Sequence, residues 1–357
     1  MSGGVDSSVA ALLLRDRGFD VIGVTLHLWE PDEGSAAPSR CCAPEDIEDA
    51  RRTAGRLGLP FFTFDRQQAF AQGVVDPFVD AYLGGTTPSP CVACNRDVKI
   101  GAFVELARRL GAVGFATGHY ARTGAFDDEA GRPALLRGTD RAKDQSYFLH
   151  GIGATALSML ATPLGALDKP AVRAIAHAHG LPNAGKPDSE DLCFTAGDHA
   201  VFVERRARDR VRPGPIVDGE GRVVGRHDGV HRFTVGQRKG LGVALGKPAF
   251  VAAIDAERGV VRLGSAVDVE STGALVAGVT WLDGALSDGG PHEVTARIRY
   301  RHEGTPARVT AREGGAEVRF SAPARAVTPG QVCVFYEGDR VLGGGTIASA
   351  LPAGTEA

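Results

Sequence analysis

Two features of this sequence could do chemistry, and they lie far apart along the chain. The first is Ser2-Gly3-Gly4-Val5-Asp6-Ser7-Ser8, which runs straight into Val9-Ala10-Ala11-Leu12-Leu13-Leu14. Two glycines let a backbone approach a phosphate closely. The N–H groups and positive dipole end of a following helix favour an anion there. Ser7 and Ser8 add hydroxyl donors, and Asp6 can hold a metal ion that bridges phosphates. No Gly-Lys-Ser/Thr closes the loop, so it is not a Walker loop. It reads as a pyrophosphate cradle, suited to splitting ATP into AMP and pyrophosphate; the bland alternative is a Gly-Ser turn before a helix.

The second feature is a pair of cysteine loops. Cys94 lies in Thr87-Pro88-Ser89-Pro90-Cys91-Val92-Ala93-Cys94-Asn95, ahead of a helical pattern whose N-terminus would favour a thiolate. Cys193 lies in Lys186-Pro187-Asp188-Ser189-Glu190-Asp191-Leu192-Cys193-Phe194, at another loop-to-structure transition. Two such cysteines beside a pyrophosphate-forming loop suggest thiol chemistry on an ATP-activated group. Cys91 and Cys94 also make a C-x-x-C zinc half-site, but no second C-x-x-C or H-x-x-H follows. Cys41, Cys42 and Cys333 lack such context and are expected to be buried structural thiols.

The elements that must position these residues alternate. A helix after Asp6 ends at Gly18, Asp20 to Leu28 reads as a buried strand, and Pro44 to Leu57 as a polar-faced helix. Leu59 to Phe64 is a second strand, Phe70 to Leu83 a helix, Val98 to Leu110 another, and Gly114 to Thr117 a strand ending in Gly118-His119-Tyr120. Such alternation means an α/β fold with a doubly wound parallel sheet, whose ligands sit beyond the carboxyl ends of the strands. A strand normally precedes a loop of this kind, and only Met1 does here, so the first strand is expected to be missing through a late start. After Gly197 the period changes: a basic helix over Val201 to Arg212, then short strands and turns to the end. The expected parts are 1–197, the nucleotide domain; 198–257, a small β-rich central domain; and 258–357, a C-terminal antiparallel β-barrel.

Composition narrows the class. The 357 residues are 43 % hydrophobic and carry a net charge of -3, which does not announce a nucleic-acid binder. No apolar run approaches a membrane span, so no membrane partner and a cytoplasmic location are expected. Six lysines stand among 40 basic residues: Lys99, Lys143, Lys169, Lys186, Lys239 and Lys247. A chain that prefers arginine this strongly makes each retained lysine worth attention.

The opening string resembles the PP-loop signature of the ATP pyrophosphatase superfamily. With ATGHYAR at Ala116, LLRGTDRAKDQSYFL at Leu135, DLCF at Asp191, HRFTVGQRKGLG at His231, RYRH at Arg299, TPGQVCVFY at Thr328 and LGGGTI at Leu342, the chain is similar to the tRNA-specific 2-thiouridylase family from Ser2 to about Ile347. That resemblance implies a tRNA sulfurtransferase: ATP adenylates O2 of a wobble uridine, and a persulfide on Cys193 attacks C2. Cys94 then acts as partner nucleophile, and the pair ends as a disulfide. It implies ATP and Mg2+ at Ser2, Gly3, Gly4, Val5, Asp6, Ser7 and Ser8, with Leu26, following its strand, and Gly118 at the adenine side. It implies tRNA contacts at Ser89, Pro90, Cys91, His119, Lys143, Asp144, Gln145, Arg299, Tyr300 and Gln331. The arginines from Arg205 to Arg212 would suit the phosphate backbone. The sulfur would come as persulfide from a cysteine desulfurase or a sulfur-relay protein. Some members carry aspartate where this chain has Cys91; three thiols at Cys91, Cys94 and Cys193 could instead hold a [4Fe–4S] cluster. Another AMP-forming PP-loop ligase, or an RNA-binding module with a dead nucleotide site, remain the rival classes.

Overall fold

The computed structural model describes residues 1–30, 44–125, 133–188, 192–195, 197–282, 284, 286 and 289–352. Cys41 and Cys42 lie outside the described residues. The chain divides into two compact units: Met1–Val74 with Cys91–Asp198 and Asp339–Val341, and Val75–Pro90 with His199–Gly338 and Leu342–Ala357.

In the first unit, helix α1 (Val5–Asp16) buries Val5, Ser8, Val9, Ala10, Ala11 and Leu12. Gly18, at φ +85°, turns the chain out of it, a conformation only glycine adopts without strain. The helix packs its apolar stripe against Val172, Ala176 and Leu181 around the Lys169–Ala178 helix. Strand β1 (Gly23–His27) pairs parallel with β2 (Phe61–Asp65), with Leu26 opposite Phe64. Met1 lies along β1, its amino group donating to Val24 O and its carbonyl accepting from Thr25 Oγ1. A second parallel pair joins β3 (Phe115–Ala116) to β6 (Leu160–Ala161). Between them in sequence, β4 (Ala121–Ala125) and β5 (Pro133–Arg137) form an antiparallel hairpin. Parallel pairs with helices between them are the α/β arrangement expected from the alternating pattern. The start of α1, the C-terminal end of β1 and the turn after β3 carry the candidate site.

Three helix expectations need correction. The helix expected from Phe70 runs from Gln67 to Leu83 with a π-helical turn at Ala71–Val75. The helix expected from Val98 starts at Pro90: a turn at Pro90–Ala93, π-helix at Cys94–Lys99, then α-helix at Ile100–Leu110. Proline at the first position needs no N–H partner, which is why it can open the helix. The basic helix is shorter than its charges suggest, His199–Arg206.

The second unit is mainly β. Strands β7 (Gly214–Val217), β8 (Val223–His227), β9 (Phe250–Asp255) and β10 (Val260–Gly264) make one sheet in the order β8-β7-β10-β9. Ile216, Val251, Val261 and Leu263 form its core. Strands β11 (Glu270–Trp281), β12 (Pro291–Arg297), β13 (Thr305–Arg312), β14 (Gly315–Arg325), β15 (Val332–Glu337) and β16 (Arg340–Pro352) follow in the order β11-β14-β13-β12-β15-β16. β16 also pairs with β11, which closes the sheet into a six-stranded antiparallel barrel with no free edge.

Candidate nucleotide and thiol site

The loop is built around two glycines that admit no side chain. Gly3 sits at φ +74°, and a Cβ there would come within 2.3 Å of Asp46 O. A Cβ on Gly118 would come within 2.7 Å of Ser7 N and 2.8 Å of Asp6 C, so the turn after β3 lies directly on the start of α1. Ser7 Oγ donates to Gly4 O at 3.1 Å and accepts from Ser2 N at 3.0 Å. Ser8, expected to present a hydroxyl to the ligand, is fully buried: its Oγ donates to Gly4 O and accepts from Asn183 Nδ2 at 2.8 Å. Asn183 Nδ2 also donates to Gly3 O at 3.0 Å. Ser8 therefore supports the loop from behind. The Val5 side chain is likewise in the core, leaving only its backbone available. Leu26 was expected just after its strand and lies within it, its side chain buried.

Asp6 is the centre of a charged network. Its carboxylate accepts from Tyr120 Oη at 2.7 Å and from Lys169 Nζ at 2.8 and 2.9 Å. Lys169 Nζ lies 2.7 Å from Asp188, which also pairs with Lys143 at 2.7 Å and Arg173 at 3.0 Å. Burial opposes the charge on Asp188, but the bonds from Lys143 and Lys169 outweigh it and hold its pKa at about 2. Burial, then the bond to Asp6, pushes the Tyr120 phenol up. Lys186 grips Asp46 at 2.5 Å and Asp49 at 2.7 Å; burial works against its charge, but these partners raise its pKa. Asp46 is the residue whose carbonyl faces Gly3, so Lys186 braces the loop from its other side. The expected Mg2+ would draw on Asp6, whose oxygens are already held by Lys169 and Tyr120.

The turn after β3 is equally determined. His119 Nδ1 sits 2.8 Å from Thr117 Oγ1; burial, and then the Lys99 ammonium, lower its pKa to about 3. Gln145 Oε1 accepts from Tyr120 N at 3.0 Å. Of the three neighbours expected to touch tRNA, Lys143 is engaged with Asp188 and Gln145 holds Tyr120. Asp144 is 1 % exposed; it accepts from Arg137 Nε, Gly138 N and Ser146 N. Asp144 is thus an internal organiser, and its carboxylate is turned away from solvent.

The two cysteines expected to react belong to this same unit. Cys94 is buried and opens the π-helical segment, while Cys91 is exposed. Cys94 therefore lies one turn inside a helical run, where the expectation put it just ahead of one. Cys193 is partly exposed, and the next residue anchors it: Phe194 meets Phe70 edge-on at 5.7 Å and Trp29 at 6.3 Å. Cys333 is the buried structural thiol expected, its pKa pushed up to about 12 by burial. Among the described residues no three His, Cys, Asp or Glu side chains converge in a way that would hold a metal ion. Cys91, Cys94 and Cys193 are thus not gathered as cluster ligands.

In the second unit, Gln331 Nε2 donates to Thr87 O at 3.0 Å and Pro88 O at 3.2 Å, so it holds the loop that carries Ser89 and Pro90. Arg299 is exposed and Tyr300 half-buried, its carbonyl accepting from Arg297 Nη2. Of the expected phosphate-binding arginines, Arg210 pairs with Asp80 at 2.8 Å and Arg206 lies 3.9 Å from Asp76. Asp76 and Asp80 of the Asp76–Leu83 helix partly neutralise that basic stretch.

Sequence reasoning assigned no role to Lys169, Tyr120, Asp188 or Asn183. The scarcity of lysine was the one available signal. Four of the six lysines, Lys99, Lys143, Lys169 and Lys186, are in the first unit, and each acts on a residue of this site.

Comparison with known proteins agrees along the whole chain. Residues 1–197 match the tRNA methyl transferase HUP domain, 201–265 the tRNA methyl transferase PRC-barrel domain, and 271–347 the aminomethyltransferase beta-barrel domain. The tRNA-specific 2-thiouridylase MnmA of Sorangium cellulosum is 56 % identical over 359 residues, covering 98 % of this chain and 91 % of that protein. Those of Moorella thermoacetica and Roseiflexus sp. are 47 % and 46 % identical, each covering 98 % of both chains. No helix among the described residues is long and apolar enough to cross a membrane. The chain belongs to the tRNA-specific 2-thiouridylase family.

Proposed function

From that membership, we propose that this protein is an ATP-dependent tRNA uridine 2-sulfurtransferase. One observation carries the reading: a single compact unit holds the glycine loop with Asp6 and both Cys94 and Cys193. ATP sits at Ser2 to Ser8, held by loop N–H groups and the end of α1, with Leu26 and Gly118 on the adenine side. O2 of the wobble uridine attacks the α-phosphorus, the bond to pyrophosphate breaks, and the base carries AMP as a leaving group. A persulfide on Cys193, loaded by a cysteine desulfurase or relay protein, attacks C2 through its outer sulfur. The Cys94 thiolate attacks Cys193 Sγ, the persulfide S–S bond breaks, AMP departs, and 2-thiouridine remains with a Cys94–Cys193 disulfide. An external thiol reductant resets the pair.

The names of the matching domains speak of methyl transfer, but paired cysteines suit sulfur chemistry, and the named relatives agree with them. The tRNA contacts keep the surfaces the resemblance assigns, with one change: Gln145 acts by holding the turn at Tyr120, and Asp144 by holding Arg137, Gly138 and Ser146. The division of labour follows 1–197 for chemistry, and 198–257 with 258–357 for tRNA. Mass spectrometry after incubation with a cysteine desulfurase tests the scheme. Cys193→Ser is expected to release pyrophosphate in the presence of tRNA and carry no persulfide, whereas Cys94→Ser loads persulfide and completes no thiolation. Persulfide on Cys94 at the parent level in the Cys193 variant reverses the two roles.

A further inference from the structure

A PP-loop lacks the lysine that a Walker loop carries within its own sequence, and the fold here brings one to the same place from far along the chain. Lys169 is the first residue of the Lys169–Ala178 helix, which Asp168 caps by accepting from Ala171 N at 2.8 Å. A cation there opposes the helix dipole, so local structure gives no reason for a lysine. Its side chain is 10 % exposed, and its Nζ reaches both oxygens of Asp6 and one of Asp188. The ammonium also lies 5.7 Å from the centre of the Tyr120 ring. Burying an ammonium this far has a large cost unless it is fully partnered. Four contacts from three residues of the site hold it beside the loop, in a chain that otherwise prefers arginine.

Resting on the reading of the loop as a pyrophosphate cradle, we infer that Lys169 is a phosphate-binding residue of this enzyme. Its ammonium rests on Asp6 and Asp188. When the nucleotide enters, the β- and γ-phosphate oxygens take the ammonium over from Asp6 and Lys169 neutralises the departing pyrophosphate. A compact ammonium on a flexible stem can make that exchange, which a planar guanidinium of fixed fork geometry does less readily. Asp188 loses little in the exchange because Lys143 and Arg173 stay with it.

Calorimetry with inorganic pyrophosphate in the absence of Mg2+, so that Asp6 does not also count as a metal donor, tests this separately from turnover. Asp6→Asn releases Lys169 and is expected to bind pyrophosphate at least as tightly as the parent. Adding Lys169→Met to that variant is expected to weaken binding tenfold or more. This pair removes one charge of each sign and leaves Asp188 two cations, so it is expected to fold, as a thermal melt would verify. Equal affinity of Asp6→Asn and Asp6→Asn/Lys169→Met would make Lys169 a mere counter-ion of Asp6 and overturn the inference. Asp6→Asn/Lys169→Arg, which keeps the charge where no exchange with Asp6 is needed, is expected to bind within a few fold of Asp6→Asn; a loss as deep as in Asp6→Asn/Lys169→Met assigns the effect to packing and overturns it too. If the parent binds neither pyrophosphate nor ATP, the reading of the loop falls first and this inference with it.

Discussion

Asn183 offers the sharpest test of how the loop is held. It is 4 % exposed, and its Nδ2 donates to Gly3 O at 3.0 Å and Ser8 Oγ at 2.8 Å. The amide orientation follows from chemistry: Gly3 O can only accept, and Ser8 Oγ already gives its proton to Gly4 O. Asn183→Asp keeps the shape and removes both donors, so Gly3 O and Ser8 Oγ face a carboxylate with nothing to share. Each buried group left unsatisfied costs about 1–3 kcal/mol, so the loss is roughly 4 kcal/mol. For a folding unit of this size that is a melting shift of ~8–16 °C. The Gly3 carbonyl would also be freed to rotate, turning loop N–H groups away from the nucleotide, so KM for ATP in ATP–pyrophosphate exchange is expected to rise more than kcat falls. Asn183→Leu separates the terms, losing the same bonds without adding charge, and should melt above the Asp variant at neutral pH. An Asn183→Asp protein that melts with the parent and keeps its KM would refute the reasoning.

Further expectations follow from the same geometry. Gly118→Ala forces a Cβ to within 2.7 Å of Ser7 N, so ATP–pyrophosphate exchange should fall at least tenfold while the barrel unit keeps its melting transition. Burial lowers His119 to about 3 and His150 to about 4, so both are neutral when folded and protonated sooner when unfolded. Their contribution is complete above pH 6.5 and is lost as pH falls from there toward 4; Tm followed against pH should decline across that window, and His119→Asn should flatten the decline. Asp80→Ala frees Arg210 from its 2.8 Å partner, and tRNA binding titrated against salt should tighten and steepen by about one phosphate contact.

Much of this site was legible because its chemistry is local. A glycine loop running into a helix, and a cysteine set at a turn, write their needs in adjacent residues. Gly3, Gly4, Asp6, Cys94 and Cys193 could be read that way, as could the change from helical to strand periodicity near Gly197 and the closed barrel at the end. Helix limits were less legible. Pro90 opens the Cys94 helix earlier than hydrophobic spacing suggested, and the basic run outlasts its helix because arginine spacing records charge and not hydrogen bonding.

What only the tertiary structure decided is the partner of each charged residue. Asp6 and Lys169 are 163 residues apart, and Asn183 is 180 from Gly3, so no window of sequence links them. Side-chain type names what a residue can do, whereas burial and the groups it meets decide which of those things it does. Ser8 and Asp144 show the limit: by type both could face a ligand, and the fold turns both inward to hold backbone. The chain itself announced a phosphate loop and two thiols; the packing of α1 against the Lys169–Ala178 helix decided which lysine stands beside that loop, because only a folded core brings the two helix starts together.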